Sequence, residues 1–254
     1  MNTKLNAEPA AFSVVLPCYN EAENIVDLVD EIVRHMSAAA DLVQAYEVIV
    51  VDDCSSDDTI SAVSKRFSAG DVPVRIVKHL ENYGQSAAIC TGIDASLHPW
   101  IVTLDGDGQN DPADITKLVA RAKSAYPTHP HPMICGQRVK RQDTWVRKVS
   151  SKVANSVRAS LLGDATPDTG CGLKLFSKDA FLKFPRFNHM HRFLPALARR
   201  DGGHVESVAV NHRPRVHGVS KYGLHNRLWV GLVDLGGVMW LQRRKFRGFK
   251  REEL

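Results

Sequence analysis

From residue 11 onward, short runs of β-branched apolar residues alternate with stretches whose apolar positions recur every three or four residues. The runs read as strands and the stretches as helices, so the pattern predicts βαβ units around a mostly parallel sheet. Residues 13–17, SVVLP, form the first strand. Beyond Asn20 and Glu21, the positions Ile25, Leu28, Val29, Ile32, Val33 and Met36 mark one face of a helix that packs on it. Strands follow at 47–51 (EVIVV), 74–79 (VRIVKH) and 100–104 (WIVTL), with an apolar helical segment at 87–95 before the last. MICG at 133–136 is a further strand, 138–158 a basic helical region, and a second mixed region ends in a strand near 205–210.

The first four strands all run into polar loops: PCYNE (17–21), DDCSSDD (52–58), ENYGQ (81–85) and DGDGQNDP (105–112). In open α/β sheets ligands bind at that edge, because loops and helix N-termini converge there. Asp105 and Asp107 stand two apart directly after an apolar strand, where extended alternation turns both carboxylates the same way. Two such carboxylates repel unless a cation lies beside them. A hard divalent ion takes carboxylate, amide and phosphate oxygens, and Gln109 offers one more. Asp52 and Asp53 follow EVIVV in the same manner and can accept from base N–H groups or ribose hydroxyls. Ser55, Ser56, Asp57 and Asp58 are good caps for a helix beginning near Thr59.

Composition narrows the class. With 254 residues, 44% hydrophobic and 24% charged, the chain is globular rather than disordered. No apolar run reaches the roughly 18–20 residues of a spanning helix, and the start lacks a signal-peptide layout, so a cytosolic protein is expected. Five singly scattered cysteines indicate neither a disulfide framework nor a zinc cage. His129 and His131 with Cys135 lack a fourth ligand, Gly106 and Gly108 do not extend to GxGxxG, and Ser220 is not in GxSxG. Net charge is +5, of which the last twelve residues, RRKFRGFKREEL, hold +4. That tail points to an anionic surface, or it solubilises the chain.

The ordered motifs LPCYNE, VDDCSSDD, NYGQ, LDGDGQNDP and RVHGVSK (215–221) resemble those of family 2 glycosyltransferases, most of all the dolichol-phosphate mannose synthase and polyprenyl-phosphate glycosyltransferase group. The resemblance implies a GT-A type fold, with a Rossmann-like, mostly parallel sheet and flanking helices over residues 11–222. It implies a metal-dependent inverting enzyme that moves a mannose- or glucose-type hexose from a GDP- or UDP-sugar to dolichyl or undecaprenyl phosphate. On the matching positions, Pro17, Tyr19, Glu21 and Asp52 hold the nucleotide, and Asp105 contacts the nucleotide sugar. Asp107 and Gln109 ligate Mg²⁺ or Mn²⁺. Arg215, Ser220 and Lys221 close over the phosphates, and Arg138 and Arg147 meet the acceptor phosphate.

Acceptor chemistry divides the alternatives. A phosphate monoester, with a second pKa of about 6, is largely ionised at neutral pH and needs cations more than a base. A hydroxyl acceptor, on a glycan for example, demands a carboxylate base, for which Asp168 is the candidate; Asp168 equally suits a turn. A non-catalytic nucleotide-sugar scaffold is the remaining rival. His191 opens HRFLPALARR, which resembles the family's interface helix, and on its own reads as a surface histidine.

Residues 223–254 form a C-terminal apolar helical segment with a basic tail. LWVGLVDLGGVMWL (228–241) would measure about 21 Å as a helix, short of the roughly 30 Å hydrocarbon core. Trp229 and Trp240, with RRKFR following, fit an interfacial helix on the cytoplasmic face of an anionic membrane, with no nucleic-acid partner. The alternative is packing on the catalytic domain, on a second copy, or on a membrane partner subunit.

Overall fold

The structure, a computed structural model, describes residues 8–68, 72–139, 158, 161–164, 166–215 and 224–244. Seven strands form one sheet: β1 (Ala11–Cys18), β2 (Ala45–Asp52), β3 (Val74–Lys78), β4 (Trp100–Thr103), β5 (Met133–Arg138), β6 (Lys174–Ser177) and β7 (Val205–Val210). Their spatial order is β3-β2-β1-β4-β6-β5-β7. Every pairing is parallel except those of β6, which runs antiparallel to both β4 and β5. The helices are α1 (Ile25–Ala38), α2 (Thr59–Phe67), α3 (Gln85–Ala95), α4 (Ile115–Ala125), the single turn α5 (Lys178–Phe181), α6 (Leu194–Arg200) and α7 (Leu224–Arg243).

Helices cover both faces, as the continuous apolar strands require. Alternation along β1 splits the core: Phe12, Val14 and Leu16 pack with Ile25, Leu28 and Ile32 of α1 and Ile115 and Leu118 of α4. Val15, with Ile49, Val51 and Ile101, meets Ala88, Ile89 and Ile93 of α3 and Leu194 and Leu197 of α6. Gly92 lets α3 lie close, since an added Cβ would fall within 3.0 Å of Val51.

Successive strands step from β1 to β2 and β3, then return across the sheet to β4. That reversal lies between β1 and β4, and a crevice opens beyond the carboxyl ends of strands at such a point. The predicted strands and the helices at 25–36 and 87–95 therefore occur within one or two residues of their expected limits, and the C-terminal helix begins four residues before the apolar run at 228–241, whereas α4 was not predicted. β6 was not predicted: its four residues sit in the stretch read only as mixed. The region 140–157 lies outside the described residues.

Candidate functional site

The β1–α1 and β2–α2 loops are tied to each other at the reversal. The Asn20 backbone N–H donates to Ser55 Oγ (2.8 Å), Ser56 N–H donates to Asn20 Oδ1 (2.8 Å), and Glu21 N–H donates to Thr59 Oγ1 (2.9 Å). Asn20 takes a left-handed φ of 53°, which lets its side chain turn back to the second loop. Asp58 is the N-cap residue of α2, and Asp57 just before it accepts from Thr59 N–H through Oδ1 at 3.0 Å.

The two adjacent acids after β2 part company. Asp53 accepts from the backbone N–H groups of Tyr83 (2.9 Å) and Gly84 (2.7 Å) and meets His79 Nδ1 at 2.7 Å, so it holds the β3–α3 loop. Asp52 is fully buried; Oδ2 accepts from Ser55 N–H (3.1 Å), while Oδ1 has no hydrogen-bond partner among the described residues. A buried acceptor left unmade costs about 1–3 kcal/mol, which is recovered when a ligand N–H or O–H arrives. The sequence reads the two acids alike, as acceptors for a base or ribose; the structure gives them different partners. Tyr19 and Glu21 stand beside Asp52 on the same pair of loops, and Asn24 donates to Glu21 Oε2 (2.8 Å).

Asp105 to Gln109 form a turn rather than an extended segment, so alternation is not what brings the acids together. Gly106 allows it: an added Cβ would lie 2.8 Å from Cys18 Sγ and 3.0 Å from the Pro17 carbonyl, so only glycine lets the β4 loop lie on the end of β1. Asp105 Oδ1 accepts from Gln85 Nε2 at 2.7 Å. Burial, and next the charge of Asp107, push the Asp105 carboxyl up to about 6 against the pull of Lys174, Arg138 and Gln85. Asp107 Oδ1 accepts from Gln109 N–H (3.1 Å), and Oδ2 is ion-paired with Arg215. Arg215 arrives because the segment after β7 zips onto this loop: Arg213 N–H donates to the Gln109 carbonyl (2.9 Å), and Asn110 pairs with His212.

A divalent ion fits this corner by one physical test. Burial first, and then the charge of Asp107, disfavours the Asp105 carboxylate, and a cation beside the two would offset both, as Arg215 already does toward Asp107. Among the described residues no three His, Cys, Asp or Glu converge on one point, so an ion here completes its shell with water and ligand oxygens. That is how Mg²⁺ usually sits in phosphate sites.

The far wall is made by the loop leading into β6. Arg138, at the end of β5, is bidentate with Asp168 (Nε and an Nη, each 2.7 Å), and its backbone N–H adds a third bond at 3.2 Å. Two of the guanidinium's five N–H groups are thus committed to Asp168. Thr103 Oγ1 donates to the Gly172 carbonyl (2.8 Å), and buried Lys174 donates to the carbonyls of Cys171 and Thr169. Lys174, Gln85 and Ser86 escaped sequence reasoning. Two of them sit in unremarkable apolar contexts, and only the NYGQ motif hinted at Gln85. Arg147, Ser220 and Lys221 lie outside the described residues.

His191 is not an isolated surface histidine. Its Nδ1 is 2.7 Å from Ser86 Oγ, and burial, helped by Arg192, Lys174 and His189, pushes the imidazole down to about 3. Helix α7 packs one face on α6: Leu235, Val238 and Met239 meet Leu162, Phe193 and Ala196. Gln242 donates to the Leu162 carbonyl (2.8 Å), and His189 meets Asp234 at 3.1 Å. The other face exposes Leu232, Val233 and Trp240, with Arg243 and Arg244 following. No helix among the described residues is long and apolar enough to cross a membrane.

The sequence profile of the family described as "Glycosyl transferase family 2" matches residues 13–184. A dodecaprenyl-phosphate galacturonate synthase from Rhizobium johnstonii is 34% identical over 238 residues, 92% of this chain and 68% of that protein. An undecaprenyl-phosphate 4-deoxy-4-formamido-L-arabinose transferase from Proteus mirabilis is 33% identical over 210 residues, 83% of this chain and 62% of that protein. The chain thus spans roughly two thirds of the length of these relatives. Both carry polyprenyl-phosphate sugar transfer in their names, the group that the motifs resemble. Mannosyl-3-phosphoglycerate synthase from Rubrobacter xylanophilus superposes with a TM-score of 0.69 at 13% identity, over 96% of this chain and 78% of that one. Glucosyl-3-phosphoglycerate synthase from Mycobacterium tuberculosis, solved with Mn²⁺, UDP-glucose and glycerol 3-phosphate, gives 0.66 at 18%, over 92% and 80%. These neighbours have the GT-A fold anticipated from the motifs.

Proposed function

We infer the reaction from one premise: this chain belongs to glycosyl transferase family 2. We propose that it transfers a sugar from a nucleoside diphosphate sugar to polyprenyl phosphate, with inversion at the anomeric carbon. The two relatives are named for a galacturonate and a formamido-arabinose, so the mannose- or glucose-type hexose is only one of the donors to be tried. The observation that supports the donor half is the unmet oxygen of Asp52 standing one loop from the Asp105–Asp107 pair. The first accepts from base or ribose; the second faces a diphosphate through a cation. Pro17, Tyr19 and Glu21 line the same corner.

Breaking the bond from anomeric carbon to diphosphate builds negative charge on the departing group. Arg215, already drawn to Asp107, is placed to meet that charge, joined in the sequence motif by Ser220 and Lys221. A Mg²⁺ or Mn²⁺ ion held by Asp107 and Gln109 would neutralise the diphosphate and lower the cost of its departure. Asp105, beside Gln85, touches the sugar. Attack comes from the opposite side, where Arg138 receives an anionic head; Arg147 is assigned to the same head from the sequence motif alone.

The acceptor is phosphate rather than hydroxyl because of the Arg138–Asp168 pair. A carboxylate with both oxygens on a guanidinium is a weak base, whereas the same contact holds the arginine fork rigid for a phosphate. Asp168 is therefore a positioning residue. The test is a panel of UDP-galacturonate, UDP-glucose and GDP-mannose with a short polyprenyl phosphate, with Mg²⁺ and with chelator. Turnover of one donor in metal is expected; failure of all three sinks the reading, and turnover indifferent to chelator removes the ion.

We also assign residues 11–222 to catalysis and 223–254 to peripheral attachment at the cytoplasmic face of the membrane. The exposed Leu232, Val233 and Trp240 would enter the interface while the tail cations meet anionic headgroups, each worth about 1 kcal/mol. Vesicles rich in anionic lipid should sediment the protein, and Trp240→Ala should halve that binding or more; equal binding to neutral vesicles would refute the attachment.

A further inference from the structure

Ser86 and His191 are 105 residues apart, and neither belongs to the five ordered motifs matched to donor and acceptor binding. Ser86 Oγ is buried in the first turn of α3 and accepts from the backbone N–H of His191 at 3.3 Å. Its own hydrogen needs an acceptor, and the one it meets among the described residues is His191 Nδ1 at 2.7 Å. A buried hydroxyl hydrogen left unpaired would cost about 1–3 kcal/mol. The network therefore assigns Ser86 as donor and Nδ1 as acceptor, which places the imidazole proton on Nε2. No hydrogen bond to Nε2 occurs among the described residues, and Nε2 is not sealed from solvent.

The position of this N–H matters. Ser86 directly follows Gln85, which grips Asp105, and Lys174 lies close enough for its charge to bear on both Asp105 and His191. With an imidazole that burial pushes down to about 3, the pair offers a neutral donor one residue along the chain from Gln85, which holds the acid expected to touch the sugar. A neutral donor suits a hydroxyl or carbonyl oxygen, and it leaves the diphosphate to the cations.

We propose, resting on the reading of this rim as a nucleotide-sugar site, that His191 Nε2–H donates to an oxygen of the transferred sugar and that Ser86 positions it. Two variants separate hydrogen bonding from shape. His191→Gln keeps an N–H near the Nε2 position, and His191→Phe keeps a ring without one. Titration calorimetry compares UDP and GDP with UDP-galacturonate, UDP-glucose and GDP-mannose. His191→Phe should weaken the sugar nucleotide about ten-fold, about 1.4 kcal/mol, with the free nucleoside diphosphate unchanged within about two-fold. His191→Gln should stay within about three-fold of the wild type. Equal losses for both ligand classes, or none with His191→Phe, overturn the proposal alone; a wild type that binds no nucleotide of the panel overturns the reading of the rim beneath it. Imidazole ¹⁵N spectra of the intact protein give a second readout: one Nε2–H tautomer in the wild type and a mixture in Ser86→Ala. A wild-type Nδ1–H tautomer would refute the assignment whatever the substrate.

Discussion

Strand β2 carries an acid near each end, and the two are treated in opposite ways. Glu47, 3% exposed at the amino end, is fully provided for: Ser13 Oγ (2.6 Å) and the Leu97 N–H (2.6 Å) donate to one oxygen and Arg75 (2.8 Å) to the other. Burial alone would raise it, but these three donors more than offset that and hold it below the usual range. At the carboxyl end Asp52 keeps an oxygen without a partner, and Asp105 on the same rim is pushed up to about 6. One sheet therefore has an edge that is electrostatically finished and an edge that is not. The unfinished edge costs stability, and that cost is the part of the molecule reserved for a ligand.

Removing the strain should trade function for stability. Asp105→Asn is expected to lower kcat about 100-fold or more. It should also stabilise the ligand-free protein at pH 7 by up to about 3 kcal/mol, the equivalent of a carboxyl raised from 3.8 to about 6. The sign follows from the raised pKa: the folded wild type binds the extra proton between pH 3.8 and 6, so its stability falls as pH rises through that window. Denaturant unfolding at pH 7 and pH 4 checks it, and a gain that persists at pH 4 would contradict the account.

The finished edge should respond in reverse. Glu47→Gln is expected to cost about 2 kcal/mol at pH 7, because it weakens charge-assisted bonds, and to leave kcat unchanged. Glu47 has a depressed folded pKa, so its contribution is present above 4.5 and is lost as pH falls through the lower folded value. Unfolding curves from pH 7 to pH 3 for the wild type and the variant should converge at the acid end. Smallest is Asp168→Asn, which should raise KM for polyprenyl phosphate about ten-fold by loosening Arg138, with donor affinity intact. Loss of kcat alone, with KM unchanged, would restore Asp168 as a base.

The alternation of β-branched runs and amphipathic stretches was enough to place α1, α2, α3 and α7 and six of the seven strands, while α4 and the single turn α5 went unread. Those patterns are local, and burial on both faces enforces them. The rim loops were legible for the same reason, since polar residues directly after buried strands have one edge to occupy. β6 was not legible: KLFS has one inward lysine and no period long enough to detect, and its place is set by pairing with β4 and β5. The pairings Arg138–Asp168 and Ser86–His191 join positions 30 and 105 apart, which spacing cannot encode. The expectation for α7 was split between membrane and catalytic domain; one face takes the second option and the other face is open to the first.

The reversed direction of β6 has one more consequence. Because it begins where β5 ends, the chain between Arg138 and Asp168 leaves and rejoins the sheet on a single side, and the bidentate pair fastens the two feet of that excursion like a clasp. Whatever lies between the feet can lengthen, shorten or change character without shifting any strand. The two feet are thus set by the strands and by the clasp between them, not by the length of chain that joins them.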